Sequence, residues 1–113
     1  MQPTHYNMFE AACSTRQAIS CLADKWTMLL LMALAEKPYQ FGELRRKVEC
    51  ISQKMLTQTL RKLEARGLVK RQVHKANVVT VTYSLTLLGE SLIKPLESLQ
   101  QWALVYGDQI VDQ

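Results

Sequence analysis

The stretch "ISQKMLTQTLRKLEARGLVKR", Ile51 to Arg71, combines an apolar ladder, small polar residues and positive charge in one segment. Leucines at positions 56, 60 and 63 recur at the three- and four-residue steps of one helix face. Ser52 is a suitable N-cap, and Gly67 is a residue type that often follows a helix end. The stretch therefore predicts a helix over Gln53 to Arg66 that buries its leucines.

The side of this helix opposite the leucines is polar. This polar face comprises Ser52, Gln53, Lys54, Thr57, Gln58 and Arg61. In a DNA major groove, glutamine can pair bidentately with adenine and arginine with guanine, while serine and threonine contact base edges or phosphates. The pattern therefore predicts a DNA recognition helix. The alternative, a solvated face without a partner, stays open on these residues alone.

Helices before the stretch complete a helix-turn-helix pattern. Asp24 can cap the almost continuously apolar segment "KWTMLLLMALAE", which predicts a central core helix that ends before Lys37-Pro38. A short helix follows in "FGELRRKV", and "ECIS" forms the next turn. We expect a first helix over Ser14 to Ala23 after a loose arm at residues 1–12. Residues 13–113 are then a single domain.

After the stretch, the sequence period changes to two. Leu68 to Val73 and Val79 to Leu85 are rich in β-branched residues and flank the tip "HKAN", which predicts a β-hairpin. Thr86 is expected to cap one long last helix, bent but not ended by Pro95. The predicted fold class is α+β, mostly α: a winged helix-turn-helix with a two-stranded β wing and a long C-terminal dimerisation helix.

The last helix carries a longer apolar stripe than a small domain covers by itself. Its dimerisation candidates are Leu92, Leu96, Leu99, Ala103, Tyr106 and Ile110. An apolar surface of this kind marks a protein interface. We therefore expect a homodimer, which would bind a pseudo-palindromic operator in double-stranded DNA.

Positive charge is concentrated in the middle of the 113-residue chain. Residues 37–75 hold eleven Lys and Arg against three Glu, a net charge of +8, and the remainder carries −4. Such a basic middle predicts an anionic partner for that part only. Cations expected beside DNA phosphates are Arg45, Arg46 and Lys47 before the polar face and Lys70, Arg71 and Lys75 on the hairpin. The same surface could instead serve a winged-helix protein-interaction module with an acidic protein partner.

Other classes of function find little support in the sequence. No apolar run reaches the roughly 20 residues of a membrane span, and "MQPTHYNMFE" lacks the features of a signal peptide. Three cysteines, an odd number, then predict reduced thiols in a cytoplasm. Since no metal-ligand spacing, phosphate-binding glycine loop or nucleophile elbow is present, we expect no metal, no cofactor and no enzymatic activity.

The segments "DKWTMLLLMAL", "FGELRRKV" and "VTYSLTLLGESL", together with the stretch quoted first, cover most of the chain. This set resembles the HxlR-type winged-helix transcriptional regulators of bacteria. The resemblance implies a dimeric DNA-binding regulator with its recognition helix at Ser52 to Arg66 and its wing at roughly Val73 to Val79. The family often has proline after its N-terminal cysteine and in its second wing strand, where this chain has Ser14 and Val79-Thr80.

The resemblance also singles out Cys13, because several such regulators sense electrophiles, quinones or oxidants through a thiol in or near the first helix. A helix start lowers the pKa of a thiol, which makes Cys13 a candidate redox-sensing residue. The alternative is a small apolar residue at a dimer contact. Cys21 is expected to be buried and inert. Cys50 lies in the turn before the recognition helix and is expected to be an ordinary packing residue, and the alternative is that its modification disturbs DNA contact. An electrophile or a small-molecule effector is thus a candidate further partner.

Overall fold

The computed structural model describes residues 7–111, and its elements follow the predicted order. They are α1 (Ser14–Leu22), α2 (Lys25–Glu36), β1 (Tyr39–Gln40), α3 (Phe41–Lys47), α4 (Gln53–Ala65), β2 (Val69–His74), β3 (Thr80–Leu85), α5 (Leu87–Glu90) and α6 (Ile93–Val111). The predicted helices before the wing and the wing itself are confirmed. Of the predicted arm, residues 1–6 lie outside the described part. Residues 7–12 form turns, and the Arg16 side chain donates to the Phe9 carbonyl at 2.9 Å.

The centre of the hydrophobic core lies between α2 and α4. Its most deeply buried leucines, each at most 2% exposed, are Leu30 and Leu31 of α2, Leu44 of α3, and Leu56, Leu60 and Leu63 of α4. Burying one leucine stabilises a protein by roughly 1.5–3 kcal/mol. Turning the three leucines of α4 outward would therefore cost roughly 5–9 kcal/mol. This free energy of leucine burial determines which side of α4 faces the solvent.

Both ends of α4 are closed by the residues that the sequence predicts. Ser52 Oγ accepts a hydrogen bond from the Met55 amide at 3.0 Å, as an N-cap does. At the other end, Gly67 has a φ of +76°, and the Leu68 amide donates to the Leu63 carbonyl at 3.0 Å. This is a Schellman motif, for which glycine is the favoured residue. Since β2 follows directly, the motif also sets the start of the wing.

The turn between α3 and α4 contains a backbone conformation that the sequence does not announce. Cys50 has a φ of +74°, in the left-handed region that costs a non-glycine residue about 1–2 kcal/mol. Val48 and Ile51 on either side are buried in the core. Their burial stabilises the conformation of this turn. The turn then determines the direction in which α4 leaves α3.

The sheet has three strands, one more than the predicted hairpin. The strand order is β1-β3-β2, and both pairings are antiparallel. The additional strand consists only of Tyr39 and Gln40. Two residues between neighbouring helices are too few to show a period of two, so this strand could not be predicted from the pattern. The wing is formed by β2 and β3, which pair along their full length around a tip at residues 75–79.

The prediction of one C-terminal helix bent at Pro95 is wrong, because two helices are present. Thr86 caps the short α5 as predicted, since its Oγ1 accepts from the Gly89 amide at 3.1 Å. The chain then breaks at residues 91–92, and α6 begins at Ile93. Pro95 lies in the first turn of α6, where an amide has no intrahelical acceptor. Its missing N–H therefore neither bends nor ends the helix.

Helix α1 lies at the surface and meets α2 at a sharp bend. None of its residues is fully buried, and Leu22 at its end packs against the core. The bend between the two helices is 79°. In the part of the chain from 7 to 111, no single helix is long and apolar enough to cross a bilayer, and α1 and α2 pass that test only as a bent pair.

Gly89 provides a test of how α5 packs on the start of the wing. A Cβ atom at this position would clash with the Leu68 carbonyl oxygen and would lie 3.2 Å from Leu85 Cδ2. Backbone cannot give way as a flexible side chain can. We expect Gly89→Ala to lower the free energy of unfolding by about 1–3 kcal/mol, measured by urea denaturation.

The matched control is Gly42→Ala in α3. A Cβ atom there would meet only Arg46 Nη1 at 3.5 Å, an ordinary contact. This variant should match the wild type or gain up to about 1 kcal/mol, because alanine favours helix over glycine. Equal unfolding midpoints for Gly89→Ala and the wild type would contradict the close packing of α5 on Leu68.

Candidate nucleic-acid interface

The polar face of α4 is open to solvent. Five of its six residues are exposed, and Thr57 is half-buried. On the opposite side, the leucine stripe is at most 2% exposed. The structure thus separates the two sides of α4 in the way the sequence predicts, with amide, hydroxyl and guanidinium groups pointing outward.

The first turn of α4 adds a partial positive charge to this face. The aligned peptide dipoles of a 13-residue helix place that charge at its N-terminus, from which Gln53 and Lys54 extend. A phosphate is favoured in such a place. Ser52 has a structural part as well, because its Oγ accepts from the Met55 amide. Its hydroxyl hydrogen is left to donate to an outside acceptor.

The three cations of α3 do not share one environment. Arg46 and Lys47 border a groove between α2, α3 and α6, together with Glu36 and Glu97. Lys47 Nζ lies 3.0 Å from Glu36 Oε1 and so has an acidic neighbour within its own chain. Arg45 is exposed, does not line that groove and has no ion pair among residues 7–111.

The Lys47 pair also changes the acidity of both partners. The hydrogen bond and charge of Glu36 raise the pKa of Lys47. The hydrogen bond from Lys47, with a second from the Tyr39 hydroxyl at 3.0 Å, lowers the pKa of Glu36. Since both side chains are largely exposed, the pair adds little to stability. It does make Lys47 a less available phosphate contact than Arg45.

The wing extends the basic surface away from α4. Lys70 and Arg71 on β2 are exposed, and Lys75 begins the tip. Successive strand residues point to opposite faces, so Lys70 and Arg71 lie on different sides of the sheet. Six strand residues span about 20 Å. That length is comparable to half a turn of B-DNA, roughly 17 Å.

One cation of α4 is held within the protein. Lys62 Nζ donates to Asp24 Oδ2 at 2.8 Å and to Thr27 Oγ1 at 2.7 Å. Thr27 is fully buried and donates its amide to Asp24 Oδ1 and its hydroxyl to Asp24 Oδ2, both at 2.8 Å. These three side chains, here called the Lys62 clamp, join the start of α2 to α4. Thr27 and Asp24 are 35 and 38 positions from Lys62 in sequence, so local patterns could not reveal the contact.

The Lys62 clamp keeps its carboxylate ionised. Partial burial of Asp24 favours the protonated acid, but the hydrogen bonds from Lys62 and Thr27 outweigh that effect and lower its pKa to about 2. The clamp is therefore intact at neutral pH. Because the folded-state pKa is depressed, its contribution to stability is lost only as the pH falls towards that value.

The three cysteines have free thiols and different environments. Cys13 is the half-buried N-cap of α1, without a side-chain cap hydrogen bond. Cys50 is exposed. The prediction that Cys21 is buried is wrong: its side chain is only partly buried and lines an open groove with Leu22 and Leu68. The reason is that α1 lies on the surface, and its end rather than its length packs on the core.

Helix α6 divides the predicted dimerisation stripe into two parts. Leu92 and Leu96 are half-buried and pack against the core of their own chain. The exposed members are Leu99, Ala103, Tyr106 and Ile110. Trp102, also nearly half-exposed, lies beside Tyr106 with ring centroids 5.6 Å apart. The outer part of α6 thus presents an apolar and aromatic surface.

Metal-ligating side chains do not gather anywhere in the described range. No group of three or more His, Cys, Asp or Glu residues from 7 to 111 is placed to hold an ion. The polar face and the wing present hydrogen-bonding groups and positive charge to the solvent.

Known proteins resemble the chain over most of its length. A sequence model described as HxlR-like helix-turn-helix matches residues 21–111. An HTH-type transcriptional regulator of Methanothermobacter thermautotrophicus is 39% identical over 98 residues, which cover 87% of this chain and 75% of the relative. The HTH-type transcriptional regulator YodB of Bacillus subtilis is 37% identical over 99 residues, covering 85% and 88%.

Solved structures give the same result. The redox regulator HypR in its reduced form superposes with a TM-score of 0.80 at 30% identity, over 88% of this chain and 98% of HypR. Diamide-treated YodB superposes with a TM-score of 0.71 at 33% identity, over 92% and 100%. The resemblance predicted from the sequence motifs is thereby confirmed. This chain belongs to the HxlR-like helix-turn-helix family, whose members compared above are transcriptional regulators with a winged-helix fold.

Proposed function

We propose that this regulator acts as a homodimer that binds a pseudo-palindromic operator in double-stranded DNA. The observation that carries the proposal is the two-sided α4: three fully buried leucines on one side, and glutamine, threonine and arginine on the other. In helix-turn-helix proteins the second helix enters the major groove and contacts base edges. The groups on the polar face of α4 are those that can distinguish bases there.

The cations around α4 supply affinity rather than discrimination. Arg45, Arg71 and Lys75 are exposed and flank the polar face, and the exposed Lys54 is part of that face. Contacts of lysine and arginine with phosphates position a protein on DNA without reading its sequence. Arg46 and Lys47 lie on α3 next to Arg45 and are also proposed phosphate contacts. Lys47 already forms an ion pair with Glu36.

The exposed face of α6 is the proposed dimer surface. Leu99, Trp102, Tyr106 and Ile110 are between 44% and 60% exposed, and they follow one another along the same helix. Contiguous apolar surface of this kind is rare on monomers. A two-fold dimer would bury it and would place two copies of α4 about 34 Å apart, in successive major grooves.

A rival function uses the same surface. A protein-interaction module could present its basic face to an acidic protein partner, and the charge distribution alone does not distinguish the two. The types of residue on the polar face favour DNA, because Gln58 and Arg61 have the geometry for bidentate pairing with bases. The difference is measurable, since the rival would treat all duplexes alike.

Substitutions on α4 and on the wing should have different effects. We expect Gln58→Ala and Arg61→Ala to lower the ratio of affinity for the preferred duplex to affinity for random DNA by about tenfold, since one bidentate base contact is worth about 1–3 kcal/mol. Lys75→Ala should weaken both duplexes equally. The measurement is fluorescence anisotropy, with the duplex that the wild-type protein enriches from a random pool.

Salt dependence provides the control for phosphate contacts. If about six to ten phosphates are neutralised, wild-type affinity should fall roughly 10³–10⁵-fold between about 50 and 200 mM salt. Lys75→Ala should reduce the slope of log affinity against log salt by about 0.9. An unchanged discrimination ratio in both α4 variants, or an affinity that ignores salt, would contradict the proposal.

A second proposed property is a thiol response through Cys13. Two proteins similar to this chain, HypR and YodB, are described as a redox regulator and as crystallised after diamide treatment. Cys13 is the N-cap of α1 and is only partly buried, and a thiol must be accessible to solvent in order to react. The thiol lies at the start of α1, a helix that we propose contributes with α6 to the dimer surface.

Treatment with diamide should therefore weaken operator binding by the wild-type protein and leave Cys13→Ser unaffected. Cys21→Ser is the matched control, because Cys21 lies on α1 and is also only partly buried. This variant should respond as the wild type does. The measurement is DNA affinity before and after treatment, followed by reduction. A Cys13→Ser protein that loses affinity like the wild type would exclude Cys13 as the sensor.

A further inference from the structure

Lys62 is a cation of α4 that already has its partners. Two of its three ammonium hydrogens are directed to Asp24 Oδ2 and Thr27 Oγ1, at 2.8 and 2.7 Å. Its charge is opposed by the Asp24 carboxylate, and Thr27 is 0% exposed. A DNA phosphate could therefore engage only the third hydrogen without displacing these bonds. The location of Lys62 on the proposed recognition helix is therefore not enough to identify it as a DNA contact.

The leucine stripe by itself leaves one degree of freedom open. Hydrophobic burial is non-directional, so it fixes which side of α4 is inward but not the helix rotation to within a few degrees. Side-chain tips lie about 5–6 Å from a helix axis, so a rotation of roughly 20° moves them by about 2 Å. A displacement of that size breaks a bidentate hydrogen bond to a base. Reading DNA thus needs a directional contact in addition to the core.

The Lys62 clamp lies where such a contact is effective. Gln58 is one helical turn before Lys62, and the two line the same groove between α2 and α4 with Asp24 and Trp26. The hydrogen bonds of the clamp are charge-assisted and short, and they attach α4 to the first turn of α2. A change at Asp24 or Thr27 therefore acts on α4 without touching its polar face.

We infer that Lys62 is a positioning residue, which fixes the rotation of α4 through Asp24 and Thr27 and so aims Gln58 and Arg61 at the bases. This inference rests on the proposed DNA-binding function and assigns part of its sequence discrimination to two residues of α2. The competing explanation is that Lys62 is a phosphate contact whose ion pair with Asp24 gives way to DNA.

Asp24→Asn separates the two explanations, because they predict opposite results. Asparagine is a good N-cap, so α2 keeps its start, but the clamp loses its anion. If Lys62 contacts phosphate, removing a nearby negative charge strengthens binding to every duplex. If Lys62 positions α4, the ratio of affinity for the preferred duplex to affinity for random DNA falls, by about tenfold.

The experiment measures both affinities, at several salt concentrations, for Asp24→Asn, Lys62→Met, Thr27→Val and the double variant Asp24→Asn/Lys62→Met. The preferred duplex is again the one that the wild-type protein enriches from a random pool. We expect each single variant to lose discrimination and the double variant to lose no more than either single one, because the residues act as a unit. The salt slope should stay at its wild-type value.

Lys54→Met is the matched control on the same helix. Lys54 is exposed and forms no ion pair among the described residues, so it is free to contact phosphate. This variant should weaken both duplexes equally and reduce the salt slope by about 0.9. Thermal unfolding of every variant distinguishes positioning from mere stability, since a smaller folded fraction lowers both affinities together and leaves their ratio unchanged.

Three results would overturn the inference. One is a Lys62→Met protein that behaves like Lys54→Met, and another is an Asp24→Asn protein with tighter binding to both duplexes and an unchanged ratio. A wild-type protein without any preferred duplex would overturn the inference and the proposed function together. If Lys62→Met does not fold, Asp24→Asn decides the question, because it keeps the cap and the lysine stem.

Discussion

The burial of Leu56, Leu60 and Leu63 against α2 is the constraint on which the rest of this structure depends. These side chains are at most 2% exposed, so the leucine side of α4 faces the core and the opposite side faces the solvent. The polar face follows from that choice rather than from any contact of its own. A protein that reads DNA needs amide and guanidinium groups that are held rigidly but are not hydrogen-bonded within the protein. Buried leucines on the same helix hold it in place and leave the opposite side free.

Neighbouring elements take their places from the ends of α4. The Schellman motif at Gly67 leads directly into β2, so the wing starts where α4 ends. At the other end, the left-handed Cys50 turn connects α4 to the cations of α3. Charge is thus distributed on both sides of the polar face by the chain path itself. The Lys62 clamp adds the directional hydrogen bonds that apolar packing lacks.

The sequence predicts those parts of the fold that depend on local chemistry. The caps at Asp24, Ser52 and Thr86 and the glycine at 67 mark helix ends through hydrogen bonds within a few residues, and all are present. The family follows from motifs that cover most of the chain, and the comparisons confirm it. Which side of α4 carries the polar face follows from the leucine period alone.

What the sequence does not predict depends on distant partners or on very short elements. The strand at 39–40 exists only because it pairs with β3, and the Lys62 clamp joins residues more than 30 positions apart. The break at 91–92 interrupts an apolar stripe whose period continues across it. Periodicity therefore gives no sign of the break, and the proline leads the sequence analysis to expect a bend at Pro95 instead. The exposure of Cys21 depends on α1 lying on the surface, which the pattern of α1 does not reveal.

Parallel selections from a pool of random duplexes, with the wild-type protein and with Arg61→Gln, test most directly whether the polar face of α4 reads bases. We expect the wild-type protein to enrich an inverted repeat with half-site centres about 10 base pairs apart. The Arg61→Gln protein should enrich the same repeat with one guanine per half-site replaced, in the direction of adenine. Identical enriched sequences for both proteins, or no enrichment with the wild type, would contradict the assignment of α4 as a base-reading helix.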